Sequence, residues 1–392
     1  MERIGIFGGS FNPPHVGHIQ AAKQAVESLQ LDKLLFVPAH IAPNKQGILP
    51  AVTDAQRLDM LEIAASEVPN GEVCNMELCR EGVSYTYETI LELKRQHPQA
   101  ELVLLMGSDV FLRFDQWVNA QTIAENATLG VFYRGGKHEI RQVECKKAEL
   151  AEKKIRGRVI ESKIVDISSS QMRRMLAFGC AKPFLPRGVY DYIQENALYD
   201  SHADFKNLPM EELEPLVVRL LKANRVAHVL GCRDTAVQMA KHWGADVTDA
   251  ARAGILHDIT KALDGPLQLT LCREYGTILD EFSHRYPKTL HALTGSMVAR
   301  RIFGENDAVV SAIEHHTTGR AGMTLLEKII YIADYIEPNR TLPYVEELRY
   351  LAYTDIDAAV KLGLEKTLDH LAALGDEISP ATKAALDYLV GN

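Results

Sequence analysis

The sequence predicts an α/β domain built on a parallel sheet, followed by an all-α domain. From residue 3 to about 167, short β-rich runs alternate with helical stretches, which implies a Rossmann-like sheet covered by helices on both faces. From about residue 208 onward, strands give way to long amphipathic helical segments. The 392 residues exceed one typical domain, and 46% hydrophobic residues supply two separate cores.

The strands fall at 3–7, 33–37, 101–106 and 128–133, with helical periodicity at 19–29, 55–65 and 86–96 between them. The charge-rich stretch 135–154 reads as a solvated face or loop. A helix ends near Asn196, and the polar stretch 199–209 forms the seam, with Pro209 suited to open the next helix. Helical segments follow at 212–223, 233–243, 247–256, 296–303, 325–336 and 355–374. The expected organisation is a first domain over 1–200, a linker over 201–209 and a second domain over 210–392.

The net charge of −9 argues against broad duplex nucleic-acid binding, which needs Lys and Arg to neutralise phosphates. It leaves room for a local basic pocket. The six cysteines are scattered, without C-x-x-C or zinc-ribbon spacing, and read as reduced thiols. No apolar run approaches the ~18 residues of a membrane span. Met-Glu-Arg leading straight into a strand does not read as a signal peptide. The expectation is a cytoplasmic protein without nucleic-acid or membrane partners; a homo-oligomer remains open.

The first strand runs into Gly8-Gly9-Ser10-Phe11-Asn12-Pro13-Pro14-His15-Val16-Gly17-His18. Gly8 and Gly9 allow a sharp turn at the carboxyl end of the strand, where open α/β sheets place ligands. His15 and His18, three apart, share one face of a helical turn, and the helix start offers free N–H groups to an anion. A second string, Ile167-Ser168-Ser169-Ser170-Gln171-Met172-Arg173, puts hydroxyls at a helix N-cap and an arginine one turn later, a second anion cradle.

The first string resembles the signature of the nucleotidyltransferase superfamily with the His-x-x-His motif. The second resembles that superfamily's Ile-Ser-Ser-Thr/Ser-x-x-Arg motif. Gly107-Ser108-Asp109, Phe114, Trp117, Ser84-Tyr85-Thr86 and the stretch 184–199 resemble the nicotinate-nucleotide adenylyltransferases. This resemblance, over residues 1–200, implies transfer of AMP from ATP, with its Mg²⁺, to nicotinate mononucleotide, giving deamido-NAD and pyrophosphate. It implies a nucleotide site lined by Gly8, Gly9, Ser10, Phe11, Gly107, Ile167 and Ser169. Asp109 would contact the ribose of ATP, Trp117 would stack on the pyridine ring, and Thr86 would lie beside the pyridine carboxylate. Lys45, Arg57 and Arg134 would be the nearby cations. The sequence departs from the family in carrying Pro43-Asn44-Lys45 for Pro-His-Lys and Gly-Ser-Asp for Gly-Ala-Asp. The phosphate nucleophile is already ionised at neutral pH and needs no general base. Catalysis then rests on positioning and charge neutralisation by Mg²⁺, His15, His18, Ser170 and Arg173.

Of the 14 histidines, five precede residue 200 and nine follow it, which directs the search for a metal site to the second half. His228, His257-Asp258, His291, His315-His316 and Asp334 offer neutral nitrogens and hard carboxylates without a thiolate. Such a set suits two divalent ions, iron or manganese. Asp334 stands in an apolar run, where a carboxylate is costly unless paired or metal-bound.

The order of these residues resembles the HD metal-dependent phosphohydrolases. The strings His257-Asp258-x-x-Lys261, His316-Thr317-x-Gly319-Arg320 and 333–340 look closest to the YqeK branch. Over about 210–390, the resemblance implies His228, His257, Asp258, His291, His316 and Asp334 as ligands, with Asp258 bridging two metals. It implies Lys261 and Arg320 as holders of phosphate oxygens, and diadenosine tetraphosphate as a substrate cut symmetrically into two ADP. His316 is preferred to His315 because it directly precedes Thr-Thr-Gly; His284 reads as a surface residue. The alternatives are another phosphate acceptor for the first half, such as a pantetheine or sugar phosphate. For the second half they are a nucleotidase, a hydrolase of another signalling nucleotide, or a regulatory nucleotide-binding module.

Overall fold

The computed structural model describes residues 1–41, 52–80, 82–133, 137–161 and 165–391. Strands β1 (Arg3–Gly9), β2 (Lys33–Pro38), β3 (Gly71–Val73), β4 (Glu101–Gly107), β5 (Ala127–Tyr133) and β6 (Gly157–Glu161) form one parallel sheet. Its order is β3-β2-β1-β4-β5-β6. Every residue of β5 is buried, as expected of a central strand with helices on both faces. The chain winds outward from β1 to β3, then returns to β4 on the other side of β1. That reversal opens a crevice at the carboxyl ends of β1 and β4, where Gly8-Gly9 and Gly107 end their strands.

The four expected strands are present within two residues of their expected ends. The edge strands β3 and β6 were not expected: β3 has three residues, and β6 exposes Arg158 and Glu161 among its five. The stretch expected as a solvated face or loop contains the helix Lys137–Glu152. Its Val143 and Leu150, seven apart, are buried in the sheet's core, while exposed charges pair along its surface, as Lys147 does with Glu144 at 3.2 Å.

The chain divides into two compact units, Met1–His202 and Ala203–Asn392. The stretch expected as a linker packs largely on the helical unit. Phe205 stacks on Phe303 with ring centroids 6.2 Å apart, and the Asn207 amide donates to the Phe303 carbonyl at 2.9 Å. Arg252 donates to the Leu208 carbonyl at 2.8 Å and holds the buried Glu305 carboxylate through two bonds of 2.7 and 2.6 Å.

In the helical unit, the helices Ala223–Trp243, Val247–Leu256, Leu290–Arg301, Asp307–Glu314 and Leu325–Ile336 carry the residues of interest. His228, expected to follow a helical run, lies inside the first of these. Side chains cap the helix starts: Asp246 accepts from the Asp249 amide, Asn306 from Val309, and Thr324 forms a capping box with Glu327. Gly254 sets the spacing between the first two helices, since a Cβ there would stand 2.7 Å from Arg233 Cα. The close approach brings His257-Asp258, just beyond the second helix, toward His228 on the first.

Gly254→Ala is therefore expected to overpack this contact and destabilise the helical unit by about 1–3 kcal/mol. Chemical denaturation followed by circular dichroism measures this, with the α/β unit unchanged as internal reference; an unshifted helical transition would contradict the close approach.

Candidate active site and metal centre

At the carboxyl end of β1 the chain is held by ties from distant segments. Arg173 Nη1 donates to the Asn12 carbonyl at 2.6 Å and Nη2 to Ser170 Oγ at 3.0 Å. Ser169 Oγ donates to the Pro13 carbonyl at 2.9 Å, and the Tyr199 hydroxyl donates to Asn12 Oδ1 at 2.6 Å. The two anion-cradle strings, about 150 residues apart in sequence, thus meet directly. Ser168 caps the helix Ser169–Ala177 and Ile167 is buried before it, so the second cradle is a rigid helix start. Phe11 is buried with φ 44°, in the left-handed region, its ring packed on Phe7 and Phe36.

His15 caps the helix Val16–Leu29, and its amide donates to His18 Nδ1 at 3.2 Å. The two imidazoles stack at 3.6 Å, beside Phe11. Gly17 is required by close approach: a Cβ there would stand 2.8 Å from the Val165 carbonyl. Burial holds His15 well below the usual histidine range, with its neighbour His18 adding to the shift, and burial lowers His18 to about 3. Both rings are therefore neutral at pH 7. With Nδ1 of His18 accepting, its Nε2 carries the proton and is a neutral donor suited to a phosphate oxygen.

The other expected residues divide into those at the crevice and those engaged elsewhere. Asp109 lies at the carboxyl end of β4, its carboxylate over Gly107, where a Cβ would meet Oδ1 at 2.7 Å. Thr86 opens the helix Thr86–Gln96, and Ser84 nearby accepts from the His40 amide at 3.0 Å through Oγ. Trp117 packs on the core beside Phe114, ring centroids 5.8 Å apart, and keeps part of its surface open. Arg57 is buried and engaged, donating to the Ser10 carbonyl at 2.9 Å and to Asp54 Oδ1 at 2.5 Å. It steadies the glycine loop from behind. Lys45 and Arg134 lie outside the described residues.

In the helical unit, five buried side chains converge. Asp258 Oδ2 lies 3.7 Å from His228 Nε2 and 3.6 Å from His257 Nε2; Oδ1 lies 3.5 Å from His291 Nε2 and 3.8 Å from His316 Nε2. One carboxylate thus divides four imidazoles into two pairs, one pair per oxygen. Asp334 joins the first pair, 3.1 Å from His228 Nε2. His257 Nδ1 donates to the Gly254 carbonyl at 2.8 Å and His316 Nδ1 to Ile313 at 2.7 Å, while His228 Nδ1 faces the buried Glu337 carboxylate at 3.1 Å. These contacts fix the tautomers and turn each Nε2 lone pair toward Asp258.

The donor set fits two divalent ions. The Nε2 atoms of His228, His257 and His316 are buried without a hydrogen bond, a costly condition that a metal relieves. His228, His257 and Asp258 form one group with donor atoms within 4.8 Å of one another, and Asp258, His291 and His316 form another. Burial pushes His257 and His316 below the usual histidine range, leaving neutral ligands. Burial works against the Asp334 carboxylate, but His228, His257 and Arg340 outweigh it and hold the carboxyl well below its usual range.

Lys261 Nζ reaches His291 Nε2 at 2.9 Å, and burial lowers its ammonium to about 8. Arg320 leans on the buried Glu327, at 3.1 Å, at the rim of the unit's core. His315 and the exposed His284 belong to neither metal group. Three participants were missed in the sequence: Arg225, which pairs with Asp258; Arg340, which pairs with Asp334; and Glu337 behind His228. Arg225 stands one helical turn before His228, and Glu337 and Arg340 belong to the string 333–340, so spacing could have flagged all three.

The comparisons with known proteins agree with this division. The cytidylyltransferase-like family matches residues 6–175, and the HD-domain family matches 225–339. A Mycoplasma pneumoniae protein named as a nicotinate-nucleotide adenylyltransferase/Ap4A hydrolase is 30% identical over 361 residues, covering 91% of this chain and 93% of its own length. A Shewanella baltica protein named as a nicotinate-nucleotide adenylyltransferase is 37% identical over 215 residues, 50% of this chain and 99% of its own. A crystal structure from Clostridium acetobutylicum, described as an HD superfamily hydrolase involved in NAD metabolism, is 36% identical, with a TM-score of 0.46 over 47% of this chain and 98% of its own.

The lowered His18 value has a direct consequence. An ordinary histidine, with a value of 6.5, gains a proton as pH falls to 5, whereas His18 in the free protein stays neutral until pH nears 3. Unfolded chains take up that proton first, so His18 makes the fold less stable as pH falls from 6.5 toward 3. Side-chain NMR of ring-labelled protein is expected to show no protonation shift for His18 between pH 7 and pH 5. A midpoint near 6.5 would contradict the enclosed ring.

Proposed function

The chain belongs to the family of two-domain proteins that join a nicotinate-nucleotide adenylyltransferase to an Ap4A hydrolase, and from that membership we propose a role for each half. The first half transfers AMP from ATP to nicotinate mononucleotide, forming deamido-NAD and pyrophosphate. The observation that supports this is the tie of Arg173, Ser169 and Tyr199 to residues 12 and 13, which sets a second helix start against the glycine loop. The mononucleotide phosphate attacks the α-phosphorus of ATP in line and pyrophosphate leaves. His15 and His18 present neutral N–H donors at a helix start, so they bind phosphate oxygens without a proton being transferred. Ser170 and Arg173 hold the departing pyrophosphate, and Mg²⁺ arrives with ATP. Gly8, Gly9, Ser10 and Phe11 shape the loop, Asp109 takes the ribose hydroxyls, and Trp117 and Thr86 receive the pyridine ring and its carboxylate.

The second half hydrolyses diadenosine tetraphosphate with one water into two ADP. The observation that supports this is Asp258, whose two oxygens face separate histidine pairs. His228, His257, Asp258 and Asp334 would hold one divalent ion, and Asp258, His291 and His316 would hold the other. The nitrogen and carboxylate donors, without sulfur, suit iron or manganese. Such ions, when bound, polarise phosphoryl oxygens and lower the pKa of water to about 7. Lys261 and Arg320 receive phosphate oxygens, joined by Arg225 and Arg340, whose guanidiniums already stand at the ligand carboxylates. The scattered cysteines fit a reducing cytoplasm.

Two variants separate the halves. Asp258→Ala is expected to abolish release of ADP from diadenosine tetraphosphate and leave adenylyl transfer within about twofold of the parent. His18→Ala is expected to lower adenylyl-transfer turnover on the order of 100-fold while hydrolysis continues. Hydrolysis retained in the first variant would overturn the ligand assignment. In the second, lost mononucleotide affinity with turnover kept at saturation would overturn the role of His18.

A further inference from the structure

His40 stands at the end of β2, one residue beyond Ala39, whose amide donates to the Gly9 carbonyl at 3.0 Å. It is therefore beside the glycine loop yet outside the two cradle strings. Its Nδ1 donates to Asp54 Oδ2 at 2.7 Å, and the other oxygen of Asp54 holds Arg57, which holds the Ser10 carbonyl at 2.9 Å. Its amide is fixed by Ser84 Oγ at 3.0 Å. The ring is thus locked by a carboxylate on one nitrogen, while no described residue bonds Nε2, and the side chain is about one-third exposed. A surface histidine with no further role needs none of this anchoring. A locked imidazole with one free nitrogen at the mouth of an anion site is built to receive an anion.

The topology says which anion. The loop after β1 is gripped on both flanks: Arg57, from the helix Asp54–Ala65 that follows β2, holds Ser10, and Arg173, from the helix that follows β6, holds Asn12. β2 and β6 lie on opposite sides of β1 in the sheet. In-line displacement needs the attacking and leaving oxygens on opposite sides of the phosphorus. With pyrophosphate leaving toward Ser170 and Arg173, the nucleophile enters from the β2 side, where His40 stands. Asp109, on the β4 side, is a carboxylate and suits hydroxyls rather than a phosphate.

We propose that His40, oriented by Asp54, binds the 5′-phosphate of the incoming mononucleotide through Nε2 and aims it at the α-phosphorus of ATP. This rests on the adenylyl-transfer reading of the first half. The test is steady-state kinetics of the full chain with His40→Ala and with His40→Asn, which keeps a donor for Asp54 but shortens the reach. In both, the KM for nicotinate mononucleotide is expected to rise about tenfold or more, the loss of one charge-assisted bond, while the KM for ATP is unchanged. The nucleoside lacking the phosphate, used as a competitive inhibitor, is expected to keep the same inhibition constant in variants and parent. An unchanged mononucleotide KM, or a nucleoside constant that weakens in step, would overturn the proposal. Absence of transfer in the parent protein would instead overturn the reading beneath it.

Discussion

The helical unit is organised around one carboxylate almost sealed from water. Asp258 is 1% exposed, and an isolated charge so placed costs several kcal/mol unless compensated. The surrounding sequence supplies the compensation in layers. Four imidazoles face it in two pairs, and the Nδ1 atoms of His257, His316 and His228 are tied to Gly254, Ile313 and Glu337. Arg225 pairs with the carboxylate itself, and Lys261 with His291. Even the spacing of helices at Gly254 serves to put the His257-Asp258 pair within reach of His228. Divalent ions held by these residues would offset the charge and take up the Nε2 lone pairs of His228, His257 and His316, which are buried without hydrogen-bond partners.

The first unit meets a related demand with opposite means. Its ligands are anions, and the groups that receive them at the glycine loop are mostly neutral: stacked imidazoles held below their usual range and a helix start. Neutral, preorganised donors avoid the cost of burying a cation in the free protein, and they are already aimed when a phosphate arrives. Two cations also order the loop itself. Arg57 and Arg173 grip the carbonyls of Ser10 and Asn12 and so hold the loop open. A loop tied at Ser10, Asn12 and Pro13 by two distant helices and by Tyr199 has little freedom left to reorganise during adenylyl transfer.

Much of this was legible in the sequence because the signals were local. Strand and helix alternation gave the sheet, Gly8-Gly9 marked its ligand-bearing end, and a string such as His257-Asp258-x-x-Lys261 carries its chemistry within one turn. Asp334 was legible for a different reason, as a charge in an apolar run. What was hidden depended on contacts far apart in sequence. Nothing near Arg57 says that the Ser10 carbonyl, 47 residues away, will engage its guanidinium. The tie of His40 to Asp54 joins residues 14 apart, and β3 is set by pairing with β2 rather than by its own three residues. The helix Lys137–Glu152 was obscured because two buried residues seven apart are diluted by its charges.

Asp258 belongs to both candidate metal groups, and the proposed hydrolysis depends on it. The measurement that tests it is the metal content of the purified full chain, by plasma emission spectroscopy, together with separation of the nucleotides it releases from diadenosine tetraphosphate. Two divalent ions per chain and ADP as the only product are predicted. A single ion, no ion under any loading condition, or AMP appearing with ATP would contradict it.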